Sequence, residues 1–229
     1  PEFQAGKLTF GGDAKKLAFA LNAVGSKDAV QPVVALIGSG KVAKENLHGL
    51  YLLLARIGGP AELRKVISHA ISEDGRVTHP QRNELMLAVE ETVRTRKIPA
   101  PPGIESELYP LIDQINTHPD VTDRPASRAC CRLTGLWKVE GTRPTVQNIA
   151  KSTKAVDPAD RAAALEGVAG FGDAKAKEFL AGLCGSEAKP EVRKLALASL
   201  AAIDTAAAST KAAEFLASPD AKDDLTELY

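Results

Sequence analysis

The sequence predicts an all-α protein, an α-α superhelix of about five to six stacked helix pairs, on three observations. The first is Lys189 to Asp204, a well-marked amphipathic helix. Pro190 suits a first helical turn, where its missing N–H is no loss, and Glu191 favours the positive end of the helix dipole. Val192, Leu195, Ala196, Ser199, Leu200 and Ile203 then recur at three- and four-residue spacing and mark one buried stripe. The second is recurrence. Comparable stripes begin near Lys15, Asn46, Arg82, Arg128, Arg161 and Arg193, and four of the five intervals lie near one helix-pair period, about 31 to 36 residues. The third is composition: aromatics make up only 4% of the chain while Ala is abundant. That suits helices packed through small side chains better than strands, which favour Val, Ile, Thr and aromatics.

Each element has its own punctuation. Asp13 to Val24 reads as a first helix with Asp13 as N-cap and Gly25 as stop. Asp28 caps a second helix that ends at Gly38-Ser39-Gly40, with Pro32 tolerated in its first turn. Lys44 to Ile57 is the most apolar helix, closed by Gly58-Gly59, and its near-continuous apolarity predicts burial on several sides. Pro60 opens a helix to about Ser72, Glu73-Asp74-Gly75 turns the chain, and His79-Pro80 opens a long helix to about Arg96. Residues 97–104, Pro-rich from Pro99 to Pro102, cannot be helical and hold the surplus of the one long interval. Glu105 to Asn116 resumes a helix that Pro110 should kink or delay. Arg124-Pro125 opens the next, with Gly141 as its stop, and Thr145 to Thr153 follows. Asp157-Pro158 caps a helix ending at Gly172-Asp173, and Ala174 to Leu183 runs up to Gly185. After the 190–204 helix, Thr205 or Ser209 to Ala217 is helical, and Ser218-Pro219-Asp220 starts another.

This divides the chain into repeats over 4–96, the Pro-rich loop 97–104, and repeats over 105–229, expected to form one continuous array. Pro1-Glu2-Phe3 resembles the translated end of a fusion-vector cloning site, so residues 1–3 are expected to be vector-derived and stay outside fold reasoning. Charge is balanced at 29 basic and 29 acidic residues, which supplies no global field for nucleic acid or an anionic membrane. No apolar run approaches the ~20 residues a membrane span needs. Cys130, Cys131 and Cys184 are odd in number and lack metal spacing, so they read as small buried apolar side chains, which mildly favours a reducing compartment.

The second helices open on Pro190-Glu191-Val192-Arg193 and Asp157-Pro158-Ala159-Asp160-Arg161, with Pro125-Ala126-Ser127-Arg128 and Pro80-Gln81-Arg82 less complete. In this the chain resembles HEAT-type helical repeats over roughly 13–229, most closely from residue 120 onward. The resemblance implies a solenoid in which each pair buries its face against neighbours. It makes the Pro-x-Val-Arg helices the inner layer, and assigns Arg128, Arg161 and Arg193, with Asp157 and Asp120, to an inter-repeat ladder. It also implies a fragment of a longer array. Ala-rich arrays of this kind are similar to those in large bacterial proteins beside a dehydrogenase-like propeller and a haem domain, although no C-x-x-C-H motif occurs here.

Motifs for chemistry fail one by one. Gly38-Ser39-Gly40-Lys41 lacks the preceding Gly and following Ser or Thr of a phosphate loop, and Gly170-Phe171-Gly172 has Lys175 where a dinucleotide loop needs Gly. His48, His69, His79 and His118 form no H-E-x-x-H. Glu73-Asp74, Glu90-Glu91 and Asp223-Asp224 read as turns or solvated faces. No catalytic residue, metal or cofactor is expected. The function expected is a non-catalytic protein-binding scaffold presenting Arg82, Glu84, Arg132, Glu166 and Lys194 to a protein or peptide partner. The alternative is a helical-repeat DNA glycosylase or lyase, or a nucleic-acid-binding array, using Trp137 and the cluster Arg124, Arg128, Arg132, Lys138 and Arg143.

Overall fold

The computed structural model describes residues 27–40, 42–72, 77–117, 124–153, 156–185 and 188–217. Over these residues the regular structure is all helical, with no strand among them. A 3-10 turn, Lys27–Ala29, leads into α1 (Val30–Gly38), followed by α2 (Lys44–Ile57), α3 (Pro60–Ala70), α4 (His79–Arg96), α5 (Glu105–Thr117) and α6 (Arg124–Trp137). Then come α7 (Arg143–Lys151), α8 (Pro158–Phe171), α9 (Ala174–Leu183), α10 (Pro190–Ala201) and α11 (Thr205–Leu216). The helices expected at Asp13–Val24 and from Ser218, the turn at Glu73-Asp74-Gly75, His118, Asp120 and Asp223-Asp224 lie outside the described residues.

Side-chain caps set four of the helix starts. Thr78 and Gln81 exchange bonds at the head of α4, with Gln81 N donating to Thr78 Oγ1 at 3.4 Å and Thr78 N to Gln81 Oε1 at 3.0 Å. Asp157, Asp173 and Asp204 cap α8, α9 and α11 by accepting backbone N–H bonds at 2.8, 2.8 and 3.0 Å. Gly172, at φ 65°, closes α8 in the left-handed conformation.

Three boundaries differ from expectation. α6 ends at Trp137 and is closed by Lys138 rather than Gly141: Lys138 itself takes φ 54°, as Lys97 does at the end of α4. α1 is entered from Ala29, because Asp28 belongs to the preceding 3-10 turn. α5 begins at Glu105 with no delay and runs through Pro110, which is exposed and simply has no N–H to give the turn before it.

The chain forms two compact units, one of residues 1–107 with 122–126 and one of 108–121 with 127–229. In the first, α1 packs on α2, α2 on α3, and α3 on α4, while α2 also meets α4, so α2 and α4 share a layer. Its core holds Leu50, Leu54, Leu63, Ile67, Leu85 and Met86, none more than 1% exposed. The 97–104 stretch is non-helical and lies within this unit as a strap, held by buried Ile98 and Ile104.

In the second unit α7 packs on α8, and each helix from α8 packs on the next. Contacts of α8 with α10 and of α9 with α11 make two layers. Phe171, Ile149, Leu165, Leu180 and Leu200 fill the space between them. α6 meets α8 backbone to backbone at Gly135, Gly167 and Gly170, an approach that any Cβ would block.

Candidate functional site

The second helices of the second unit, α6, α8 and α10, carry most of the expected surface residues. Arg132 on α6 and Glu166 on α8 are ion-paired through Nε and Oε2. Beside Glu166 a shallow groove of about 410 Å3 runs between α8 and α10 over Ala169, Gly170, Ala198, Ser199, Ala202 and Ile203. Lys194 stands half-buried on α10. In the first unit, Glu84 on α4 takes His48 Nε2 of α2 at 2.7 Å. Arg82 does not lie on open surface: it is half-buried, and its Nε donates to the Ala70 carbonyl at the end of α3, at 2.6 Å.

Arg161 does the same work in the second unit. Its Nη1 donates to the Ala150 carbonyl at 2.7 Å and its Nη2 to that of Ser152 at 2.9 Å, at the close of α7. Burial pulls this guanidinium below its ordinary pKa, while the Glu191 carboxylate pushes it back up. Arg82, Arg161 and Arg193 all occupy the fourth residue of their helices. From there a long side chain reaches the free carbonyls that end the preceding helix. Arg193 is buried, with its guanidinium 4.2 Å from the centre of the Phe215 ring. Arg128 reaches across to the next repeat, with Asp157 Oδ1 at 3.3 Å and fully buried Asp160 Oδ1 at 2.7 Å.

A more regular ladder runs through residues that sequence reasoning passed over. Arg143 on α7 meets Asp173 Oδ2 at 2.5 Å, and Lys177 on α9 meets Asp204 Oδ2 at 3.0 Å. In both rungs a base on one first helix holds the N-cap Asp of the next. The Arg143 side-chain bond, then the Ala176 N–H, hold Asp173 below the ordinary carboxylate range. The Ala207 N–H, then Lys177, do so for Asp204. Asp160 was missed as well. The available signal was an Asp at each N-cap, one repeat apart, with a base one repeat earlier.

Several other polar groups that the sequence singles out serve the structure. Glu90 is 3% exposed and paired with Arg94 one turn on, which corrects the reading of Glu90-Glu91 as wholly solvated. His69 stacks on Tyr51 with ring centroids 3.8 Å apart. Ser39 Oγ donates to the Leu36 carbonyl at 2.7 Å, so Gly38-Ser39-Gly40 is a helix stop. Cys130, Cys131 and Cys184 are buried free thiols. Burial raises all three pKa values, that of Cys131 to about 12. Among the described residues no group of three or more His, Cys, Asp or Glu could hold a metal ion. No helix among them is long and apolar enough to cross a membrane.

Residues 149–228 match a family model described as HEAT repeats. No curated protein matches the chain. The second helices opening on Pro158 and Pro190, and the Asp173 and Asp204 caps one repeat apart on the first helices, fit this match to HEAT-type helical repeats.

Proposed function

We propose that the chain is a non-catalytic binding domain whose second-helix faces receive a protein partner. HEAT repeats commonly serve as scaffolds for protein interaction, and the observation that carries the reading is the groove between α8 and α10. Its floor of Ala169, Gly170, Ala198 and Ala202 is shallow and small-sided, and its charged edge, Glu166, is already neutralised by Arg132. Such a surface suits an extended macromolecular contact better than a small substrate. In a larger protein with dehydrogenase-like and haem domains, the same face would serve to dock a neighbour.

The glycosylase or nucleic-acid reading has less support. Trp137 is 8% exposed, too enclosed to stack on a base. Arg128, Arg132 and Arg143 each hold a carboxylate, so little of that cluster is left for phosphates.

A photo-crosslinking amino acid tests the proposal when placed at Ala198 in the groove and, as control, at Lys175 on the exposed side of α9. In extract of the native cells, discrete protein adducts are expected from the Ala198 position and not from Lys175. Equal labelling at both positions would count against a specific face. Salt-sensitive DNA binding that Arg132→Ala abolishes without loss of helicity would favour the alternative.

A further inference from the structure

We propose that the first unit carries a separate binding groove for an acidic, partly apolar peptide segment of a partner protein. This groove lies over α3, between α1 and the 97–104 strap, and has a volume of about 1000 Å3. That is the upper end of the range for small-molecule pockets, roughly 300–1,000 Å3, and the groove is partly open to solvent. Its floor is apolar, built from Val34, Ile37, Leu54 and Pro101. Every titratable side chain lining it, Tyr51 apart, is basic: Arg64, Lys65 and His69.

The three bases are not equivalent. Arg64 Nε is held by Glu107 at 3.0 Å, and the same carboxylate oxygen takes Ser68 Oγ at 3.2 Å. His69 is stacked on Tyr51. Lys65 is exposed and makes no ion pair among the described residues, so it carries the groove's uncompensated charge. An occupant with carboxylates beside apolar side chains satisfies both the charge and the floor.

One wall is tied down within the unit, which lowers the ordering cost of association. Arg64 Nη1 donates to the Pro102 carbonyl at 2.8 Å and pins the strap. Pro101 and Pro102 have no N–H, so the strap wall cannot pair with an incoming strand through backbone donors. Recognition therefore runs through side chains. A nucleic acid fits less well, since the floor is aliphatic and the Tyr51 ring already has its partner in His69.

Fluorescence anisotropy with the full chain tests this, using a fluorescein-labelled 12-residue peptide of alternating Glu and Leu. The control is the same peptide with Lys for Glu. Binding of the acidic peptide is expected, weakened about tenfold by Lys65→Glu through loss of one charge-assisted contact. Ala61→Trp, an exposed groove position, is expected to fill the site and abolish binding. Both substitutions fall on solvent-accessible side chains, and an unchanged thermal midpoint checks that folding is intact. Lys65→Gln, which removes the charge without reversing it, should weaken binding less. No binding at low salt would overturn the proposal and indicate that the groove is filled by the chain itself or by a second copy. Equal binding of the Lys peptide, or displacement by a single-stranded DNA oligonucleotide at equal affinity, would also overturn it. Weakening by Lys65→Glu but not by Ala61→Trp would put the contact outside the groove and overturn it as well.

Discussion

Replacing Gly135 by Ala adds one methyl group where two helices touch through their backbones. That methyl would overlap the carbonyl oxygen of Gly167 and stand 2.9 Å from its carbonyl carbon and 3.0 Å from the Cα of Gly170. The reciprocal position is tight as well, since a Cβ at Gly170 would lie 2.8 Å from the Gly135 carbonyl carbon. None of these neighbours is a side chain that could rotate aside. Comfortable carbon contacts need about 3.5–4.0 Å, so α6 and α8 must part by roughly 1 Å, forfeiting a quarter or more of the dispersion between them. Overpacking of this kind costs about 1–3 kcal/mol, and an unyielding backbone partner puts it near 3. Ala returns about 1 kcal/mol through its better helix propensity, leaving a net loss of about 2 kcal/mol. In a chain of this size that lowers the thermal midpoint by roughly 4–8 °C. Gly182 on α9 supplies the control, because a Cβ there meets nothing within 4 Å. Gly182→Ala should show the propensity term alone and stabilise by about 1 kcal/mol. Urea titrations followed by far-UV circular dichroism measure both. A Gly135→Ala protein as stable as the parent would refute the close-approach reasoning.

Arg161→Met keeps the apolar stem but removes both donors to the Ala150 and Ser152 carbonyls. It should cost about 2–3 kcal/mol; a urea midpoint unchanged from the parent's would contradict this. Asp173, held below the ordinary carboxylate range by Arg143, contributes stability that is full above the usual aspartate pKa and is lost as pH falls through its depressed folded value. Asp173→Asn should therefore flatten the acid side of the stability profile, and an unchanged slope would remove Asp173 from the ladder. The three buried thiols, with raised pKa values, should resist a disulfide reagent at pH 8 in the native protein and react once urea unfolds it. Rapid labelling of the folded chain would show that the cysteines are more accessible than their burial implies.

Helix succession was legible because its signals are local. The apolar period of Lys44 to Ile57 and the His79-Pro80 start of α4 are each written within a few turns, and both helices have the bounds expected of them. The left-handed closures at Lys97 and Lys138 were not legible, since nothing about a lysine announces positive φ. There the chain turns where packing needs it. The candidate surface was less legible still. Arg132 and Glu166 were read as separate contacts for a partner, yet they hold each other from adjacent second helices, and Arg82 closes a helix end.

By itself the sequence determined the all-α class, the order of helices and their Pro, Asp and Gly punctuation, and the bland character of the cysteines. Those properties depend on residues within one or two turns of each other. Tertiary structure alone decided which charges are consumed internally, that Arg143 with Asp173 and Lys177 with Asp204 form rungs beside that of Arg128 with Asp157 and Asp160, and that Gly135 meets Gly167 and Gly170. Such pairings join residues about thirty positions apart, and they depend on the distance and angle at which helices cross. That geometry is set by the bulk of the side chains at the contact, a property of two helices together that neither segment's own periodicity records.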